Sequence, residues 1–376
     1  MLYGIESKPL GFQRSKLLQF MREKDLGGVL LTSPENIYYT TGFPALPTSG
    51  NPILYTLRNR LPFFSYMDDQ GRIALLCWWF AAEGMTFGAD EVRGFDGMDT
   101  ASAALLGLLK GRLDPQATLG IESSCPYYVL ELARQVVQPT AFSVVDGLLE
   151  TLRLTKSEEE IARLKRSLAI IEKTVSELFE VVHVGMSRLD LIQEAKHRLY
   201  RNGGTGISHA TFAFGLANPE IAIGEMLEDG KLITLDLGGI YEGYASDTRR
   251  YLYAGSLPDS LDERYQTMVK IVDEVGAALV PGTRFSDLYQ LSLSLYAKHH
   301  LTPRFSRAGH SIGLETEEVW ISKSEHRTVQ PGMVINIELY SDAETGEHVG
   351  NEETFVIGEK GPTRISTLPR EIKIVR

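Results

Sequence analysis

The sequence predicts two domains, an α/β domain over residues 1–153 and an α+β domain over residues 154–376. Three observations lead there. The length of 376 residues is more than twice the usual ~150 residues of a domain. Up to about Val145, β-like runs alternate with helical ones, the pattern of an α/β layer. Near Thr151 the texture changes to long amphipathic helices and then to strand-rich segments.

The elements follow in order. Between Pro9 and Lys24 the apolar residues Phe12, Leu17, Leu18, Phe20 and Met21 recur at roughly helical spacing. GGVLLTS, from Gly27, reads as a buried strand, followed by PENIYYTTGF. In the second half Thr155 and Glu158 have the spacing of a capping box, and Ile161, Leu164, Leu168, Ile171, Val175 and Leu178 form one apolar helix stripe. A second helix is predicted from Ser187 to Tyr200, closed by RNGGTG. That loop lacks a G-x-G-x-x-G register and reads as a surface turn rather than a phosphate cradle. Strand patterns follow, interrupted by helical residues near 260–300.

Composition narrows the function. There are 38 Lys and Arg against 49 Asp and Glu, a net charge of -11, with no basic run. This argues against nucleic-acid or anionic-membrane partners. Cys77 and Cys125 form no disulfide framework or metal spacing, and neither sits in a nucleophile motif. The opening MLYGIESKPLGFQRSK does not read as a signal peptide, and IALLCWWFAA from Ile73 is too short to span a bilayer, so a cytoplasmic location is expected.

The chemistry concentrates in two strand pairs. In KLITLDLGGIYEGYASDTRRYLYAG, Ile233, Leu235 and Leu237 alternate with Thr234, Asp236 and Gly238, so Asp236 faces away from the apolar side. Placing the turn at Tyr241–Glu242 sets Asp236 directly opposite Asp247, where two ionised carboxylates repel unless a cation lies between them. In MVINIELY, Val334, Asn336 and Glu338 share a face. In GNEETFVIG, Glu352, Thr354 and Val356 share another, and a hairpin would join Glu338 to Glu352. Between the pairs lies AGHSIGLETEE, where Gly309 and Gly313 let the backbone around His310 approach a site closely. Four carboxylates and one imidazole suit two divalent ions (Mn, Fe, Co or Zn), whose charge balances the carboxylates. Two such ions ~3.5–4 Å apart would hold and deprotonate a water at neutral pH.

The order D-L-G…S-D, G-H-S-I-G-L-E, N-I-E and E-E-T resembles the pita-bread metallohydrolases: prolidase, Xaa-Pro aminopeptidase and methionine aminopeptidase. The resemblance covers most of the chain. TKSEEEIARLK and VHVGMSRLDL resemble the helices that open that catalytic domain, and NIYYTTGF resembles a turn of the creatinase-type N-terminal domain. It implies Asp236, Asp247, His310, Glu338 and Glu352 as metal ligands, Glu338 as the group that handles the proton of the nucleophilic water, and a homodimer.

The chain also departs from the family pattern. Glu317, in T-E-E, stands where the family has the histidine of V-H-E. No histidine lies near Asn218–Glu220, and His209 falls about ten residues too early to replace the one expected there. Gly350 aligns with the arginine of R-I-E-D, and E-P-G has become Glu338-Leu339-Tyr340. In the peptidases those histidines stabilise the tetrahedral intermediate and hold the substrate. Glu317 is therefore read as a substrate-binding residue that leaves the pocket net negative and favours cationic or neutral substrates over an anionic peptide end. Three functions are compatible with this pattern. One is a dinuclear-metal Xaa-Pro dipeptidase or aminopeptidase with altered substrate residues. The others are a hydrolase or lyase of the same fold acting on a small non-peptide compound, and a silent binding protein.

Overall fold

The apolar runs of the N-terminal half become the middle strands of one sheet. In the computed structural model, which describes residues 5–138, 141–221, 224–344 and 346–375, the chain divides into two compact units, Met1–Arg153 and Leu154–Arg376. The first unit carries a six-stranded sheet in the order Glu91–Phe95, Ile73–Trp78, Phe64–Asp68, Leu26–Leu31, Thr118–Ile121, Phe142–Val144. Phe64–Asp68 runs antiparallel to both neighbours, and the outer pairs are parallel. Helix Met98–Arg112 lays Leu105, Leu108 and Leu109 on Leu30, Tyr66, Leu76 and Leu119. PENIYYTT is a helix, Pro34–Thr41, capped by the Ser33 hydroxyl and closed by Gly42 in the left-handed conformation.

The second unit opens with helix Glu158–Leu178. Its capping box is Ser157 with Glu160, two residues beyond the Thr155–Glu158 pair that has the same spacing. Thr155 instead bridges the backbone of Met333 as extended chain, which leaves Ser157 as the residue at the helix entrance. Helix Arg188–Arg201 follows, and the two helices bury Leu168, Ile171, Val175 and Leu199 against Ile233, Leu235 and Leu237. The sheet behind them runs in the order Lys373–Val375, Tyr244–Ala254, Leu232–Tyr241, Gly206–Phe214.

The rest of this unit repeats the plan. Helices Asp259–Ala277 and Phe285–Lys298 bury Met268, Ile271, Val272 and Leu288 against Ile335, Ile337 and Leu339. The second sheet runs Trp320–Ser322, Arg307–Ser311, Val334–Asp342, His348–Gly358, Gly361–Arg364. Strands Tyr244–Ala254 and His348–Gly358 touch, so the two hairpins lie side by side. Strand side chains alternate between faces, so each hairpin that gives its apolar residues to a helix pair turns the others toward a shared space. No helix among the described residues is long and apolar enough to cross a membrane.

Candidate metal centre

The first hairpin pairs Tyr241 with Tyr244, which makes Glu242 and Gly243 the turn, with φ of 48° and 89°. Positive φ at both central residues is the two-residue turn that matches strand twist, and Gly243 adopts it without strain. The Tyr241–Glu242 turn expected from the sequence would have forced that conformation on Tyr241. The register therefore lies two residues from the expected one: Asp236 is across from Arg249 and Asp247 is across from Gly238. A two-residue slip leaves every side chain on its face, so the aspartates remain diagonal neighbours in the shared space.

The second hairpin places Glu338 directly across from Glu352, and the adjoining strand places His310 across from Asn336. That strand passes so close that a Cβ at Gly309, where φ is 142°, would lie 2.0 Å from the Asn336 carbonyl oxygen. His310 Nδ1 faces the Ser311 carbonyl at 3.3 Å and can only donate to it, which leaves Nε2 as the ligating nitrogen. From Nε2 the distances are 3.9 Å to Asp247 Oδ2, 3.9 Å to Glu338 Oε2 and 4.0 Å to Glu352 Oε1. Ligand atoms that each lie ~2.0–2.2 Å from one ion stand about 3–4 Å from one another.

His310 is fully buried, and Asp247, Glu338 and Glu352 are nearly so. Among the described residues, His310 Nε2, Glu338 Oε2 and Glu352 Oε2 have no hydrogen-bond partner. Each such buried atom costs about 1–3 kcal/mol, and a cation among them supplies the missing partner. Burial, followed by the charges of Asp247 and Glu338, pushes the Glu352 carboxyl well above the usual range. Asp247, His310 and Glu352 bring ligand atoms within 4.8 Å of one another, as do His310, Glu317 and Glu338, and His209, Asp236 and Asp247, so the cluster fits a divalent metal ion. Asn336 Nδ2 donates to Glu352 Oε1 at 2.8 Å, and the Tyr340 hydroxyl donates to Glu338 Oε1, so both carboxylates are held from behind.

Asp236 is in a different state. Arg249 Nη2 donates to its Oδ2, and His209 Nε2 lies 3.1 Å from its Oδ1 and 3.2 Å from Asp247 Oδ1. Burial alone would raise the Asp236 pKa, but Arg249 and then His209 hold it below the usual carboxylate range. Set aside in the sequence as too early, His209 reaches the site because it stands on a strand, Gly206–Phe214, paired opposite Gly238. A Cβ on Gly238 would sit 2.3 Å from the His209 ring, so the glycine makes the room the imidazole occupies. Paired glycines in mid-strand are the available sequence signal for such a close approach. Arg249 was also missed, although Asp247 and Arg249 share strand parity.

Glu317 lies beside the site but is not an unpaired anion. Its Oε1 accepts from Arg307 at 3.0 Å and its Oε2 from Trp320 Nε1 at 2.6 Å. Arg307 Nη2 is also 3.6 Å from Glu338 Oε2. The net negative mouth expected from Glu317 is therefore corrected: an arginine from the neighbouring strand neutralises it locally.

Two α-plus-hairpin halves around a buried cluster of carboxylates and imidazole define a pita-bread, metal-dependent hydrolase. The chain belongs to metallopeptidase family M24, whose signature matches residues 162–359, preceded by a creatinase/prolidase N-terminal domain over residues 13–155. It is 26% identical over 366 residues to an Xaa-Pro dipeptidase of Pyrococcus horikoshii, spanning 95% of this chain and 97% of that protein. An uncharacterized peptidase of Bacillus subtilis is 25% identical over 377 residues, spanning 96% of this chain and 99% of that one. The crystal structure of the prolidase from Pyrococcus horikoshii matches the fold with a TM-score of 0.82 at 24% identity, over 96% of this chain and 99% of that chain.

Proposed function

We propose that the protein hydrolyses the amide bond of dipeptide-sized substrates, Xaa-Pro dipeptides being the first class to test. The observation that carries this reading is the convergence of His310 Nε2 with Asp247, Glu338 and Glu352 in one buried cluster. Asp247, His310, Glu338 and Glu352 are the candidate ligands for a divalent ion such as Mn, Co, Fe or Zn, with Asp236, the fifth residue of the expected set, beside them and paired to Arg249 and His209. Such an ion supplies Lewis acidity and brings the pKa of a water toward neutrality.

Glu338 is the proposed proton carrier. Its Oε1 is held by the Tyr340 hydroxyl, and its Oε2 faces the cluster without a hydrogen-bond partner among the described residues. The Glu338 carboxylate is thus placed to touch the ion and also to pass a proton from a water beside it to the leaving amine. Glu317 is proposed to act on the substrate through Arg307, which it holds beside Glu338. A guanidinium there favours a substrate with a carboxylate end. Where the family has an arginine and a histidine, this chain has Gly350 and Glu317, which supports a second reading, a small non-peptide amide.

The test is to assay Mn- or Co-loaded protein against Xaa-Pro dipeptides and a panel of small amides. Glu338→Gln should lower turnover by about 10²–10⁴-fold while keeping the fold, since general acid–base assistance is of that size. Near-full activity in that variant would remove Glu338 from the role. We also propose a homodimer, as the family resemblance implies, to be checked by light scattering.

A further inference from the structure

The two sides of the carboxylate cluster are not equivalent. On one side His310 Nε2, Glu338 Oε2 and Glu352 Oε2 have no hydrogen-bond partner among the described residues. On the other, both oxygens of Asp236 are engaged, one by Arg249 and one by His209, and the unpartnered oxygen among the described residues is Asp247 Oδ1, 3.2 Å from His209 Nε2. The backbone sets this difference. Arg249 follows Asp247 by two residues on the same strand face and stands directly across from Asp236. It is only 9% exposed. Its guanidinium lies 4.1 Å from the centre of the Tyr340 ring and 3.8 Å from Glu338 Oε1. We propose that the centre holds a single divalent ion, bound by Asp247, His310, Glu338 and Glu352, and that the Arg249 guanidinium takes the place of a second ion beside Asp236.

This rests on the metal-dependent reading of the site and deepens it. A buried guanidinium needs an anion, because losing its partner leaves an uncompensated charge out of water. If Asp236 gave its carboxylate to a second dication, Arg249 would lose that anion and face the dication across the same oxygens. Four carboxylates with two dications are neutral, but adding Arg249 makes the centre positive. With one dication and Arg249, the centre keeps one negative charge. The aromatic face of Tyr340 lies against the guanidinium.

Metal stoichiometry tests this independently of activity. Apoprotein is reloaded with excess MnCl2, desalted and analysed for Mn per chain, with calorimetry for affinity and electron paramagnetic resonance for the state of the ion. The wild type should hold one Mn per chain and show the signal of an isolated ion. Arg249→Thr should gain a second, with an exchange-coupled signal. Asp236→Asn should keep the ion, its affinity lowered by no more than the roughly 10–100-fold of a residue that supports a ligand without touching the ion. Glu352→Gln should release it. Two tightly held ions in the wild type, or loss of the ion in Asp236→Asn, would overturn the proposal and leave the metal-dependent reading intact. No uptake by the wild type would overturn both. Should Arg249→Thr fail to fold, the wild-type count and Asp236→Asn still decide.

Discussion

Arg307 determines what Glu317 can do. Held between Glu317 and Glu338, it presents a cation at the edge of the cluster. Glu317→Ala should release Arg307 and Trp320 and raise KM several-fold for a dipeptide with a free carboxylate, leaving kcat nearly unchanged. An amide-ended analogue should be far less sensitive. Steady-state kinetics on the two substrates check this, and equal effects on both would exclude the carboxylate role. His348 gives a second prediction at this scale. Burial, then Arg304 and Arg249, disfavour its cation and lower its pKa from 6.5 to about 4. The unfolded chain therefore takes up a proton before the folded one as pH falls. Stability is complete above about pH 6.5 and declines as pH drops toward 4, by on the order of 1–2 kcal/mol after solvent screening. The denaturation midpoint should fall more between pH 7 and pH 5 in wild type than in His348→Gln.

At the scale of elements, the strand Arg307–Ser311 is pinned by Gly309. Its φ of 142° and the Asn336 oxygen at 2.0 Å from a would-be Cβ leave no space for any side chain. Gly309→Ala should cost on the order of 2–4 kcal/mol, through strain and displacement of the strand that carries His310. Chemical denaturation measures that loss, and metal titration should show weakened binding, since His310 moves with its strand. The hairpins were legible in the sequence to the level of face. Alternation put Asp236, Asp247, Glu338 and Glu352 on the sides away from the apolar residues. The exact partner across the first hairpin was not legible, because a register shift of two residues preserves that alternation. Turn chemistry at Glu242–Gly243 selected it.

For the whole molecule, metal binding and stability are linked. Buried carboxylates repel one another, and the cluster leaves polar atoms unpaired. A ligand that binds only the folded state stabilises it by about 2.7 kcal/mol at a hundred times its Kd. Loading with Mn should therefore raise Tm by roughly 5–10 °C, given about 2–4 °C per kcal/mol for a unit of this size. Calorimetry with and without chelator checks this, and Glu352→Gln should show a much smaller rise.

The sequence by itself determined the division into an α/β and an α+β part, the helix stripes and the strand faces. Those depend on local periodicity, which is written into residue order. It also put four inward-facing carboxylates in two strand pairs and one histidine near glycines, the residue types from which the proposed metal site is built. Only the tertiary structure decided which cations answer those carboxylates. His209 arrives on a strand whose pairing no periodicity specifies, and it enters beside a glycine that makes room for its ring. Arg249 meets Asp236 only in the register that the turn imposes. Arg307 neutralises Glu317 from a neighbouring strand. Electrostatic partners lie within a few ångströms in space but at any separation along the chain, so they follow from register and packing rather than from local pattern.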